Sequence, residues 1–419
     1  MFLVFKRLNL VDYGVLLITL IACSGYIVNP EDYYSSLGEE LYLQKHPLSI
    51  FFILLSGAMF ILGSISGYKK MPETKYNSKY LTIIMLLSGF AIISLILYFS
   101  TILYKFPISY LSNQSNENRY EIWKFVSGAK IGFIVSFATA ALSSLVFTIL
   151  VKNFRNKLSI LFLLVITIGI FASSIMTNTK AGIFYLMAIF FLPITILYKQ
   201  RRIPKSIARP IIFFTPIVLV SFFMINTIGR ISSVNGSNSL DQIRIATYAL
   251  YGYLFSGLNK YAAIFAGIYQ PPELNMANIL LPLLNIPILG GLYTSALSDF
   301  GVSVNVINAD DWKSSFETLS TSIFNQGFNV NSIYGELFGS FGYLGLIPMF
   351  IFGYISKRMW NRYIAGDLVG VCVLPYIFFS IIQWLVYNPF FSRDFMIALI
   401  VGCSVKIAIS VVKYRSSYV

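Results

Sequence analysis

The chain alternates between long apolar intervals that carry no charge and short polar connections, many of them rich in Lys and Arg. About 20 apolar residues are needed to cross the hydrocarbon of a bilayer, and a charge at its centre costs about 3 kcal/mol. Charge-free intervals of that length therefore predict membrane-spanning helices. Ten stand out: Leu10–Val28, Pro47–Gly67, Tyr80–Tyr104, Phe125–Val151, Leu158–Met176, Ala181–Tyr198, Pro210–Ile228, Ile333–Ile355, Leu368–Tyr387 and Phe395–Val412. The expected fold class is all-α, a polytopic integral membrane protein. The first interval has the length of a signal peptide, but an acidic connection and nine more spans follow it rather than a cleavage site and a soluble body. It is read as a retained helix. No internal repeat, low-complexity tract or heptad run is evident.

One connection breaks the pattern of short loops. Residues 229–332 lie between seven N-terminal spans (1–228) and three C-terminal spans with a short tail (333–419). Connections of about a hundred residues inside a compact fold are usually functional. This one holds two semi-apolar stretches, Ile245–Asn259 and Leu274–Ser298, the second interrupted by Pro282, Pro287, Gly290 and Gly291. Helices that lie in the interface or dip in as re-entrant segments are expected, since a broken helix needs protein or water to satisfy its backbone. If both stretches span, the count becomes twelve with the same termini.

Charge then orients the spans. Placing alternate connections together collects Lys6/Arg7, Lys69 to Lys79, Lys152 to Lys157, Lys199 to Arg209, Lys357 to Arg362 and the tail from Lys406 on one side. That side holds 20 of the 31 bases and only 3 of the 17 acids, Asp12, Glu73 and Asp367, which leaves 11 bases and 14 acids opposite. The positive-inside rule makes the basic side cytoplasmic, so both termini are expected there.

Composition excludes the other classes. The chain is 57% hydrophobic and 11% charged with a mean hydropathy of +0.73, whereas soluble domains need about 25% charged residues to wet their surfaces. Its 37 Phe and 28 Tyr supply far more apolar surface than disordered chains carry. The net charge of +14 is spread in short clusters between spans, not gathered on one domain face, so it reads as topology and not as a nucleic-acid footprint. Cys23, Cys372 and Cys403 sit in apolar intervals without CxxC spacing and are expected to be buried core thiols.

The candidate chemistry lies on the side opposite the basic clusters. Cations kept there call for compensation, and an anionic ligand is one source. Lys180 occupies the tight turn TNTKAG between two spans, and Arg393 holds the matching place in NPFFSRDF, beside Asp394. Arg230 follows the seventh span, and Arg244 comes soon after. All four are expected at one depth, where they would form charge-assisted hydrogen bonds to a diphosphate. The alternative for Lys180 and Arg230 is snorkelling to headgroups, and for Arg393 pairing with Asp394.

Glu336 falls near the start of the eighth span, among Gly335, Gly339, Gly342 and Gly345, whose spacing permits close helix contact. It suits a general base for a hydroxyl nucleophile, or a structural acid favoured by the helix dipole. Tyr248, Tyr251, Tyr253 and Tyr261 suit stacking on sugar rings, or an interfacial aromatic belt. Glu31, Asp32, Glu39 and Glu40 read as a solvated acidic face, any one of which is a second candidate base. His46 is the only histidine and carries little information. There is no GxxxxGK[ST] and no clustered His/Cys/Asp set, and Asp310-Asp311 lacks D-x-D spacing, which argues against ATP-driven or nucleotide-sugar chemistry.

At these residues the chain resembles the O-antigen polymerase (Wzy) family of oligosaccharide repeat-unit polymerases. Its hydropathy does so throughout. TNTKAGIFYLMAIFF is similar to the family's short outer hairpin, with Lys180 standing where that hairpin usually has Arg. NVNSIYGELFGSFGYLGL is similar to the segment after the large loop. The resemblance implies a GT-C-like glycosyltransferase in the bacterial inner membrane that moves the growing glycan from undecaprenyl diphosphate to the non-reducing end of a lipid-linked repeat unit at the periplasmic face. It implies neither metal nor other cofactor, and as partners the lipid-linked oligosaccharide, membrane lipids and a polysaccharide chain-length regulator. Carried onto this chain, Lys180, Arg230, Arg244 and Arg393 grip the diphosphate. Glu336 with Arg230 and Arg393 makes the catalytic set, and Tyr248, Tyr251 and Asn331 contact glycan. Two rivals remain. A flippase would place charges in mid-membrane and show matched halves. The O-antigen ligase family has its functional histidine in the large loop, where this chain has none.

Overall fold

The computed structural model describes residues 8–76, 78–107, 131–177, 181–206, 239–269, 332–385 and 393–415, with scattered residues of 110–126 and 209–221 and single residues at 295, 299 and 324. Every regular element among them is helical. The helices are α1 Leu10–Ser24, α2 Pro30–Leu37, α3 Tyr42–Lys45, α4 Ser49–Ser66, α5 Ser78–Lys105, α6 Phe133–Leu150 and α7 Lys157–Met176. They continue with α8 Ala181–Lys199, α9 Ser239–Phe265, α10 Ile333–Phe341, α11 Leu346–Ala365, α12 Leu368–Ile382 and α13 Arg393–Arg415.

Local sequence sets the ends. The side chain of Asn9 accepts from the amides of Val11 and Asp12, and the Asp12 carboxylate takes the Asn9 amide at 2.7 Å, a reciprocal cap that opens α1. Asn29 and Pro30 open α2, and Gly38, in the left-handed region, closes it. Asn156 and Ser159 repeat the reciprocal cap at α7.

Among the described residues seven helical stretches are long and apolar enough to cross a membrane: Leu10–Ile27, Ser49–Ser66, Tyr80–Lys105, Phe133–Leu150, Lys157–Met176, Ile333–Ala365 and Asp394–Val411. The protein is thus a multi-pass membrane protein by the length and composition of its helices. The expected spans at 181–198 and 368–387 are present as shorter apolar helices, Gly182–Tyr198 and Leu368–Ile382. Most of 210–228 lies outside the described residues.

The expected eighth span departs from a simple helix. It stops at Phe341, passes through a 3-10 turn at Gly342–Gly345, and restarts at Leu346. Gly342 has φ +55° and ψ −136°, a conformation essentially closed to residues with a Cβ, so it marks a break, while the close contact expected from the spacing is made at Gly345, where a Cβ would meet the Leu337 carbonyl at 2.7 Å.

The chain divides into two units. The first comprises 1–69, 237–358 and 380–392. In it α4 and α11 cross with their backbones nearly touching. A Cβ on Gly63 would overlap the Phe350 carbonyl, and one on Gly353 would overlap the Phe60 carbonyl. Small residues at such crossings let dispersion contacts replace the hydrophobic driving force that lipid cannot supply. An aromatic layer of Phe52, Tyr261, Phe338 and Tyr334 joins α4, α9 and α10, with Phe52 and Phe338 centroids 5.1 Å apart.

The second unit comprises 70–236, 359–379 and 393–419. Helix α6, rich in Ala, Ser and Thr, is buried along most of its length, with α5, α7, α8 and α13 packed on it. The Ser143 hydroxyl donates to the Val371 carbonyl at 2.6 Å, and the Tyr376 hydroxyl donates to the Ser136 carbonyl at 3.0 Å. The basic turns gather at one end of this unit. Lys152 pairs with Glu73 at 2.8 Å, Arg202 donates to the Val151 carbonyl at 2.8 Å, and Asp367 pairs with Lys406 at 2.5 Å. In the first unit Asp12 pairs with Lys357 at 3.8 Å. The three acids that the alternation of connections grouped with the basic clusters thus each pair with a base of that group.

The expectation of buried cysteines holds for Cys372 only. Cys23 is half-buried and Cys403 is exposed, because an apolar span has one side toward lipid, where exposure of a thiol carries no penalty.

Candidate functional site

In the first unit the polar chemistry outside the apolar spans centres on α9 and the connection 28–48. Residues 244, 248, 251, 255, 259 and 262 fall on one stripe at helical spacing. Near the start of the stripe, exposed Arg244 donates from Nε to the Tyr248 hydroxyl at 2.8 Å, its guanidinium carbon 5.4 Å from that ring's centroid. Half-buried Tyr251 packs on Tyr33 of α2 at 5.9 Å and on Phe255 at 4.9 Å.

Toward the end of the stripe α9 carries a buried charged cluster. Lys260 is fully buried and Glu39 is 1% exposed. Tyr33 donates its hydroxyl to Glu39, and Asn259 donates to Glu39 Oε1 at 3.5 Å and to the Glu40 carbonyl at 2.7 Å while accepting the Tyr42 amide at 2.6 Å. The Lys260 ammonium lies 5.9 Å from the Phe324 ring, which also packs on Tyr42 and Tyr269. Burial, and after it the neighbouring carboxylate, holds the Tyr33 phenol well above its usual range, so it stays a donor. Burial brings Lys260 down from 10.5 to about 7, partly opposed by Glu39.

Glu39 is therefore no part of a solvated face, although Glu31, Asp32 and Glu40 are exposed. Tyr261 is not available to stack on sugar either. It is buried, with its hydroxyl donating to the Ser49 carbonyl at 2.7 Å. Of the other residues singled out by sequence, Glu336 stands half-buried in the first turn of α10, whose N-cap is Ser332. Arg393 opens α13, with its side chain outside the described ones, and the adjacent Asp394 accepts the Ser136 hydroxyl. Lys180, Arg230 and Asn331 lie outside the described residues, as does the stretch expected at 274–298, save Ser295.

Where charge ends a segment, the sequence leaves Lys260 outside the semi-apolar stretch and gives Asn259 no role beyond its last residue. The semi-apolar stretch read from the sequence ends at Asn259, but α9 runs on to Phe265. The available signal was a lone Lys flanked by uncharged, largely apolar residues.

The cluster makes a pH prediction. Between about pH 7 and 10.5 the unfolded chain holds a proton on residue 260 that the folded chain does not, so stability rises with pH across that window and is flat below it. Melting of detergent-solubilised protein should show the wild type gaining on Lys260→Met from pH 7 to 10. Parallel curves would mean that Lys260 keeps its ordinary proton affinity. No family model, curated protein or solved structure matches the chain.

Proposed function

We propose that this protein is a repeat-unit polymerase of the O-antigen polymerase kind, which transfers a growing glycan from undecaprenyl diphosphate to the non-reducing end of a lipid-linked repeat unit. The observation that carries the reading is α9. It is a helix not among the apolar spans, and it presents a guanidinium against a phenol ring while a buried charged cluster fixes its other end. A cation for diphosphate beside an aromatic face for sugar is the pair of contacts a lipid-linked glycan needs.

In this reading Lys180, Arg230, Arg244 and Arg393 neutralise the diphosphate, and Tyr248, Tyr251 and Asn331 hold the glycan. Glu336 accepts the proton of the acceptor hydroxyl as its oxygen bonds to the anomeric carbon. The bond from that carbon to the phosphate oxygen breaks, and undecaprenyl diphosphate leaves. The leaving group is already activated, so the cations need only stabilise charge as it departs. The termini are cytoplasmic, the site faces the periplasm, and a chain-length regulator is the expected protein partner.

The test is to incubate purified protein with a defined lipid-linked repeat unit. Dimers and longer products are expected without nucleotide or metal. Arg230→Ala and Arg393→Ala should abolish the ladder of chain lengths. Arg244→Ala should slow extension about 10- to 100-fold, the loss of one charge-assisted hydrogen bond. Unchanged ladders would defeat the residue assignment. Transfer of a single unit to another lipid acceptor would make the protein a ligase.

A further inference from the structure

The basic end of the second unit has more cations than its own acids engage. Glu73 is taken by Lys152, whose side chain is 15% exposed and whose ammonium also donates to the Thr74 carbonyl at 3.2 Å. Asp367 is taken by Lys406 and, at 3.5 Å, by Arg362. Arg202 is tied to the Val151 carbonyl, which draws the turn after α8 onto the end of α6. Around these ties stand Arg155, Lys157, Arg201 and Lys205, all exposed. Among the described residues no carboxylate lies within ion-pair distance of any of the four.

The backbone adds a second observation. Arg201 closes α8 in the left-handed region at φ +57°, with its amide donating to the Tyr198 carbonyl at 3.0 Å and the Arg202 amide donating to the Leu197 carbonyl at 2.9 Å. That cap is a glycine position, and a side chain there is strained by about 1 kcal/mol. The Arg201 side chain is exposed, and charge-assisted hydrogen bonds from its guanidinium to an anion would offset that cost. The turn sits where α6 and α8 end and α7 begins, all three apolar helices packed on one another, so its natural depth is a headgroup plane.

We infer that Arg155, Lys157, Arg201 and Lys205 make an exposed basic surface that recruits anionic phospholipid through its headgroup phosphates. Lipid is favoured over a soluble acidic partner because the four cations lie in the turns at the ends of apolar helices α6, α7 and α8, where headgroups are already concentrated. Each cation near an anionic surface strengthens binding about 5-fold at moderate salt.

The experiment uses full-length protein in nanodiscs of phosphatidylcholine with a titrated fraction of phosphatidylglycerol, reading lipid retained by native mass spectrometry and the melting midpoint. Wild type should retain phosphatidylglycerol in preference to phosphatidylcholine, and added salt should weaken the preference. Arg201→Gly separates the two roles of that residue: it should melt no lower than wild type, since it relieves the cap, yet bind phosphatidylglycerol about 5-fold more weakly. Arg155→Gln/Lys157→Gln/Lys205→Gln should weaken it further, about 5-fold per cation. Equal preference in wild type and variants, or retention of poly-glutamate instead of phosphatidylglycerol, would overturn the site.

Discussion

Gly353→Ala should leave little folded protein in mild detergent, and Gly63→Ala should do the same. A methyl at either position meets a backbone carbonyl, not the end of a flexible side chain. A rotamer change cannot relieve that contact, so α4 and α11 must separate along their length. The expected loss lies at or above the top of the roughly 1–3 kcal/mol typical of overpacking, because the Phe60–Trp384 contact, with centroids 5.3 Å apart, shifts with α4. Controls come from glycines in ordinary surroundings: a Cβ on Gly14 meets Ile381 at 3.6 Å and one on Gly89 meets Phe162 at 4.0 Å. Alanine there should leave the melting midpoint within a few degrees of wild type. If Gly353→Ala melted with those controls, the crossing of α4 and α11 would not have the geometry described.

The same pair of helices shows what the sequence could and could not disclose. Spans such as Ser49–Ser66 were legible almost to the residue, because a charge cannot enter hydrocarbon unaided and so announces the edge of the membrane. The rule fails once a partner is supplied from far along the chain. Lys260 looks like a boundary in the sequence and is interior in the structure, where burial lowers its proton affinity and Glu39, from the connection before α4, partly opposes that loss. Glycines are ambiguous for a similar reason. Spacing alone makes Gly335 to Gly345 a packing face; in the structure Gly345 packs on the Leu337 carbonyl, Gly342 breaks the helix, and the crossing of α4 and α11 falls to Gly63 and Gly353. What separates these roles is φ and the identity of the facing backbone, neither of which is written locally. In the candidate site the pairing of Arg244 with Tyr248 was open to prediction, being a neighbour relation at i, i+4 on one helix. The hold of Glu39 and Tyr33 on α9 was not.

Lys357→Met should destabilise the protein by about 3–5 kcal/mol, more than either Asp12→Asn or the two changes together. The Asp12 carboxylate is fully buried in the first turn of α1, and Lys357, 3% exposed, stands 3.8 Å from it. Removing the ammonium leaves a carboxylate that cannot reach water without unwinding the cap it forms with Asn9. The reverse change is milder for two reasons. Asparagine keeps an oxygen to accept the Asn9 amide, and the Lys357 ammonium, 5.7 Å from the Tyr68 ring, retains a cation–π contact and a stem long enough to carry it toward the interface. With both changes no uncompensated charge remains, so Asp12→Asn/Lys357→Met should recover most of the loss. A double-mutant cycle on melting midpoints in detergent measures this as a coupling energy of at least about 1.5 kcal/mol between the two positions. Simple additivity would mean that each charge is satisfied independently of the other. The pair would then be an accident of proximity rather than the tie between α1 and α11.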